Sequence, residues 1–156
     1  MESKNAPHFV TTRRVEFVDT DMAGIVHFSN FFRYMESAES EFFRSHGHSV
    51  AGRPNDDGIA YGWPRVSASC SFKSPAYHND ELTIGIGVRR RGFKSLTLQF
   101  EFHRGDTLVA VGQIKTAYCR FAPGRPIQSL EIPAEFDLLL GPYDPAADKE
   151  TPLAEA

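Results

Sequence analysis

The chain has 156 residues, a formal net charge of −3 and two cysteines. That length suits one domain with a real core. The near-neutral balance gives no basic footprint for nucleic acid, and no apolar run approaches the ~20 residues of a membrane span. Met1 to His8 lack the apolar stretch of a secretory signal, so a cytoplasmic protein is the expectation.

Val15 and Phe17 alternate with Arg14 and Glu16, which predicts a first strand. Asp19 to Phe31 follows and reads D-T-D-M-A-G-I-V-H-F-S-N-F. Beyond it, Phe28, Phe31, Met35, Ala38 and Phe42 recur at three- and four-residue steps, with Phe32, Glu39 and Phe43 beside the stripe. The spacing predicts an amphipathic helix with an aromatic face, capped by Ser29 or Asn30 and stopped by Gly47.

After a loop rich in turn formers (A-G-R-P-N-D-D-G), alternation predicts strands over Val66–Phe72, Leu82–Val88, Leu96–His103 and Thr107–Phe121. Arg91-Gly92-Phe93 and Arg104-Gly105-Asp106 suit antiparallel hairpins, and Gly112 reads as a bulge. Residues 1–140 form the expected domain, and 141–156 a flexible tail. A strand, one long helix and four further strands make an α+β protein, with an antiparallel sheet curled around the helix.

The chemistry concentrates in Asp19–Phe31. Two carboxylates and a glycine sit just before a helix start, where backbone N–H groups lack partners and the dipole end is positive. A carboxylate there can attack a carbonyl or activate water, and the helix start can hold an oxyanion. The same letters also suit a simple Asx turn. They begin like a calcium loop, but Ala23 stands where that loop needs an oxygen ligand and Asn30 where it needs a bidentate Glu, so no metal is expected. His46 and His48 flank the expected helix end with no ligand partner at a recognisable spacing. Cys70 and Cys119 are expected as reduced, packed thiols.

The motif and the order of elements resemble the hotdog-fold acyl-CoA thioesterases of the 4-hydroxybenzoyl-CoA thioesterase type. That pattern is matched at Asp19, Asp21, Gly24, Ile25, Val26, Phe28, Asn30 and Phe31. The resemblance implies a hotdog fold, hydrolysis of an acyl-CoA thioester, and a catalytic Asp21, as nucleophile or as general base. It implies that the Phe28 backbone N–H polarises the thioester carbonyl. In R-R-R-G-F-K-S it implies that Lys94, Ser95 and Arg91 hold coenzyme A, which enters as part of the substrate with no other cofactor. His27 stands where the family usually has an aromatic ring and is a candidate substrate contact. Phe28 is more similar to the dihydroxynaphthoyl-CoA branch than to the Tol-Pal-associated one, which has a His there. A homodimer or homotetramer is implied, with Asp21 of one copy sharing a site with Lys94 of another. The rival readings are a hotdog dehydratase or hydratase, whose usual His motif is not found, and a non-catalytic acyl-CoA-binding protein.

Overall fold

The computed structural model describes residues 6–146 and 148. Strand β1 (Phe9–Arg14) leads through a 3-10 turn into helix α1 (Phe28–Arg44). Then come β2 (Ala60–Gly62), β3 (Arg65–Phe72), β4 (Glu81–Arg91), β5 (Ser95–Arg104), β6 (Thr107–Ala117), β7 (Cys119–Phe121), β8 (Gln128–Ser129) and a short helix α2 (Asp137–Leu140). The main sheet has five strands in the order β1-β4-β5-β6-β3, and every pairing is antiparallel. A small ribbon, β2-β7-β8, accompanies it.

One face of the sheet is covered by α1. The helix buries Phe31, Tyr34, Met35, Ala38, Phe42 and Phe43, and the strands answer with Leu82, Ile84, Ile86, Leu96, Leu98, Phe100 and Phe102. Each such apolar side chain contributes about 1.5–3 kcal/mol when fully buried, so this contact is the main stabilising layer. The Met35 side chain packs directly onto Gly112, where an added Cβ would collide with its sulfur. Cys70, Gly112 and Phe100 lie in regular register there. Gly112 therefore marks a close approach, and the expected bulge is absent from that position.

Two further differences from the sequence reading have identifiable causes. The first strand ends at Arg14. The Asp19 carboxylate accepts the Glu16 N–H at 2.9 Å and draws Phe17–Asp19 into a 3-10 turn, which leaves Phe17 exposed. The long final run breaks at Tyr118: its N–H still bonds the Lys94 carbonyl in register with β5, but its carbonyl accepts the Leu130 N–H and the chain beyond it pairs with β2 and β8. The start of the expected tail is tethered: Asp148 accepts from Arg90 at 2.9 Å and from the Tyr143 hydroxyl at 2.7 Å. Residues 147 and 149–156 of that tail lie outside the described residues.

Strand β3 is an edge with no partner on its outer side among the described residues. Seven of its eight residues are exposed, and only Cys70 is half-buried. No helix among the described residues is long and apolar enough to cross a membrane.

Candidate active site

The segment between β1 and α1 is organised by Asp19, which is buried. Its carboxylate oxygen Oδ2 accepts the Glu16 N–H and the Tyr34 hydroxyl, the latter at 2.7 Å. Its carbonyl accepts the His27 N–H at 2.9 Å and the Asn30 side-chain amide at 2.8 Å. Asn30 and Tyr34 lie four residues apart, so one face of α1 reaches back and clasps the loop. Burial, and then the hydrogen bond to Asp19, push the Tyr34 phenol well above its ordinary range, so it stays a donor.

Held by that clasp, Asp21 sits half-exposed at the tip of a tight turn. Its Oδ1 accepts the Ala23 N–H at 2.8 Å, and Gly24 closes the turn at φ 78°, a conformation that favours glycine. Its Oδ2 has no hydrogen-bond partner among the described residues, and the carboxylate has no ion pair there.

The cap of α1 is His27, in place of the expected Ser29 or Asn30. Its Nδ1 accepts the Ser29 N–H at 3.3 Å and faces the Ser29 hydroxyl at 2.7 Å. Its carbonyl accepts the Asn30 N–H at 2.9 Å. The Phe28 N–H, one residue before these two, meets no acceptor among the described residues. It stands at the positive end of a 17-residue helix.

Asp21 and Phe28 line one cleft of about 560 Å³. Its walls are mainly apolar: Ile25, Val26, Phe28, Phe31, Phe72 and Ala76. Phe28 and Phe72 are 60% and 49% exposed, while Phe31 belongs to the core. Lys73 is the cation in the lining, and sequence reading missed it. A free carboxylate oxygen, an unpaired N–H at a helix start and a largely apolar cleft can together position water or an acyl group and stabilise an oxyanion. A second cleft, of about 390 Å³ under Tyr61 and Trp63, is bounded by Glu36 and Arg65 and contains none of the motif residues.

The other candidates lie elsewhere. Lys94 is exposed and Ser95 half-buried, at the opposite end of β5 from the turn that carries Asp21. Ten strand residues span about 30 Å. Arg91 departs from the expected role. Its side chain is turned inward, with the guanidinium bonded to the Gly92 carbonyl at 2.6 Å and to Asp137 at 3.3 Å. A register shift between Val88 and Arg90 sets which of the three arginines faces in. The His27 ring lies tilted against Phe28, 4.6 Å between centroids, and does not line the cleft. Among the described residues no cluster of His, Cys, Asp and Glu could hold a metal. Cys70 and Cys119 are free thiols, both pushed up by burial, Cys70 to about 11.

Comparison with known proteins agrees with this frame. The thioesterase-like superfamily model matches residues 15–139. The 4-hydroxybenzoyl-CoA thioesterase of Pseudomonas sp. (strain CBS-3) is 27% identical over 128 residues, covering 80% of this chain and 91% of that protein. The solved structure of a gentisyl-coenzyme A thioesterase is 31% identical, with a TM-score of 0.70 over 81% of this chain and 98% of that one. An aspartate-to-asparagine mutant of 4-hydroxybenzoyl-CoA thioesterase, solved with 4-hydroxybenzoyl-CoA, is 27% identical, with a TM-score of 0.72 over 85% of this chain and 97% of that one. The chain belongs to the thioesterase-like superfamily and is a hotdog-fold thioester hydrolase.

Proposed function

We propose that the protein hydrolyses acyl-CoA thioesters, with Asp21 as the catalytic carboxylate. The observation that supports this reading is that Asp21, with one carboxylate oxygen free, and Phe28, whose N–H meets no acceptor among the described residues, line the same cleft. The thioester carbonyl oxygen lies toward that N–H, and the helix dipole offsets the charge that grows on the oxygen. Asp21 either attacks the carbonyl carbon or takes a proton from an attacking water. Collapse of the intermediate releases the coenzyme A thiolate; on the general-base route the free acid forms in the same step, and on the nucleophilic route water then cleaves the acyl–Asp21 anhydride to give the acid and restore the carboxylate. Coenzyme A enters with the substrate, no other cofactor takes part, and the reaction is cytoplasmic.

A second copy completes the site. The unpartnered β3 edge supports a homodimer joined edge to edge, commonly doubled to a tetramer. Antiparallel pairing of two β3 strands sets the Phe72 end of one against the Arg65 end of the other. Lys94 and Ser95 of the second copy then lie about 10 Å in from that edge, two strand spacings away, where they can hold the cofactor's phosphates.

The test is Asp21→Asn. Turnover of the best acyl-CoA should fall by at least ~100-fold, with folding intact because Asn suits the same turn. Hydrolysis by the folded variant at a rate close to the parent's removes Asp21 from catalysis.

A further inference from the structure

We infer that the C-terminal segment carrying Tyr143 and Asp148 is a strap that competes with substrate, its Asp148 carboxylate lying where a phosphate group of coenzyme A binds; the inference rests on the reading of the turn between β4 and β5 as the cofactor's phosphate site. Gly141, at φ 81°, ends α2 and turns the chain off the core that holds Leu139 and Leu140. The chain then reaches the β4–β5 turn, which the Gly92 N–H closes by donating to the Ser95 carbonyl at 2.8 Å. There the Tyr143 ring packs against Phe93, 5.4 Å between centroids, and lies 6.0 Å from the Arg91 guanidinium. Asp148 comes to the same turn. Its Oδ1 accepts from Arg90 Nη2 at 2.9 Å and its Oδ2 from the Tyr143 hydroxyl at 2.7 Å. A Cβ built on Gly92 would stand 2.9 Å from the Ser95 hydroxyl and 3.4 Å from Oδ1 of Asp148, so the carboxylate shares the turn with Ser95. The Tyr143 hydroxyl first, and then Arg90, hold the Asp148 carboxyl below its ordinary range, and the Phe93 backbone N–H adds to that pull.

A guanidinium, a turn N–H and hydroxyls are also the donors that a phosphate accepts from. The carboxylate fills this set incompletely. It meets Arg90 through one nitrogen, and Arg90 Nε is left buried with no acceptor among the described residues. A phosphate, with several terminal oxygens, can take Nε and Nη2 together, the bidentate grip that suits a guanidinium. The strap is weakly held. Residues 142–146 and 148 are half-buried or exposed, and the Arg90 and Asp148 side chains are 31% and 30% exposed, a setting in which an ion pair adds little. A cofactor phosphate therefore lifts Asp148 from Arg90 and takes its place. In the proposed dimer this turn serves the Asp21 cleft of the other copy, so the strap of one copy governs the site of its neighbour.

The experiment measures KM and kcat on the parent's best acyl-CoA and on the N-acetylcysteamine thioester of the same acid, which carries no phosphate. It adds Kd for free coenzyme A by calorimetry, and uses the parent, Asp148→Asn, Tyr143→Phe and Arg90→Met. Asp148→Asn should lower KM for the acyl-CoA and Kd for coenzyme A by roughly 3- to 10-fold, the gain expected when a strap closed in most molecules is released. Its kcat should change less than about twofold, because ground and transition states gain alike. Tyr143→Phe should act in the same direction, and Arg90→Met should raise both constants. The N-acetylcysteamine thioester should respond to none of the three. Higher KM and Kd in Asp148→Asn overturn the inference by making the carboxylate a support for Arg90. Constants unchanged in Asp148→Asn overturn it by placing the phosphate elsewhere. An equal effect on the phosphate-free thioester overturns it by making the segment part of the cleft itself. These three results leave the thioesterase reading standing. A parent that hydrolyses no acyl-CoA and binds no coenzyme A sinks that reading and the strap with it.

Discussion

Glu39 sits in the middle of α1 with no exposed surface, facing Arg65 on β3 across 2.6 Å. Burial pushes its carboxyl up to about 7, against the opposing pull of the Arg65 guanidinium. In the unfolded chain the same group titrates near 4.5. Between these values the folded protein holds a proton that the unfolded chain has released, so stability falls as pH rises through the window and is level above it. At 1.36 kcal/mol per pKa unit the difference amounts to about 3 kcal/mol. Glu39→Gln keeps the shape and an acceptor for Arg65 but cannot ionise. It should exceed the parent by less than about 1 kcal/mol at pH 5 and by up to ~3 kcal/mol at pH 8, because Arg65 is partly exposed and water can take over its charge. The assay is urea unfolding of both proteins at pH 5, 6, 7 and 8, at one protein concentration. The comparison cancels every other titrating group. Parallel pH profiles for the two proteins would refute the reasoning.

Tyr34→Phe removes the donor to the buried Asp19 carboxylate and should cost about 1.5–3 kcal/mol in chemical unfolding, with a fall in kcat as the Asp21 turn loosens; unchanged stability would mean that the clasp does not depend on Tyr34. Gly112→Ala drives a methyl group into Met35 and close to the Ser69 carbonyl, and should lower stability by about 1–3 kcal/mol. A parent-like unfolding midpoint would show that the helix can lift off the sheet there. Iodoacetamide at neutral pH should leave turnover intact, since both thiols are held protonated by burial; stoichiometric loss of activity on alkylation would put a cysteine in the mechanism.

The strand–helix–strands order was legible because its periodicity is strong, and so was the turn that carries Asp21, because motif and helix are contiguous. The supporting role of Tyr34 was within reach of the sequence, since it lies one helical turn beyond Asn30 on the face that returns to Asp19. Other features were set by competition that periodicity does not record. Alternation through Val15 and Phe17 lost to a hydrogen bond that the Asp19 carboxylate accepts from the Glu16 N–H. Among three consecutive arginines, the register shift in β4 decides that Arg91 faces inward. Lys73 was illegible for a different reason. It reaches the cleft through strand pairings that join segments far apart in sequence, and no local pattern marks a lysine as facing a distant aspartate.

The walls of the cleft carry unequal obligations. Val26, Phe31 and Ala76 belong to the core, and truncating a buried Phe of that kind costs about 3–5 kcal/mol. Phe28 and Lys73 are exposed, and substitutions at such positions usually change stability by no more than about 0.5 kcal/mol. Tolerated mutation is therefore channelled to the residues that shape the open side of the cleft, while the turn, the helix start and the carboxylate keep their places. A frame of this kind can drift from one ligand shape to another by single replacements, each passing through a folded protein.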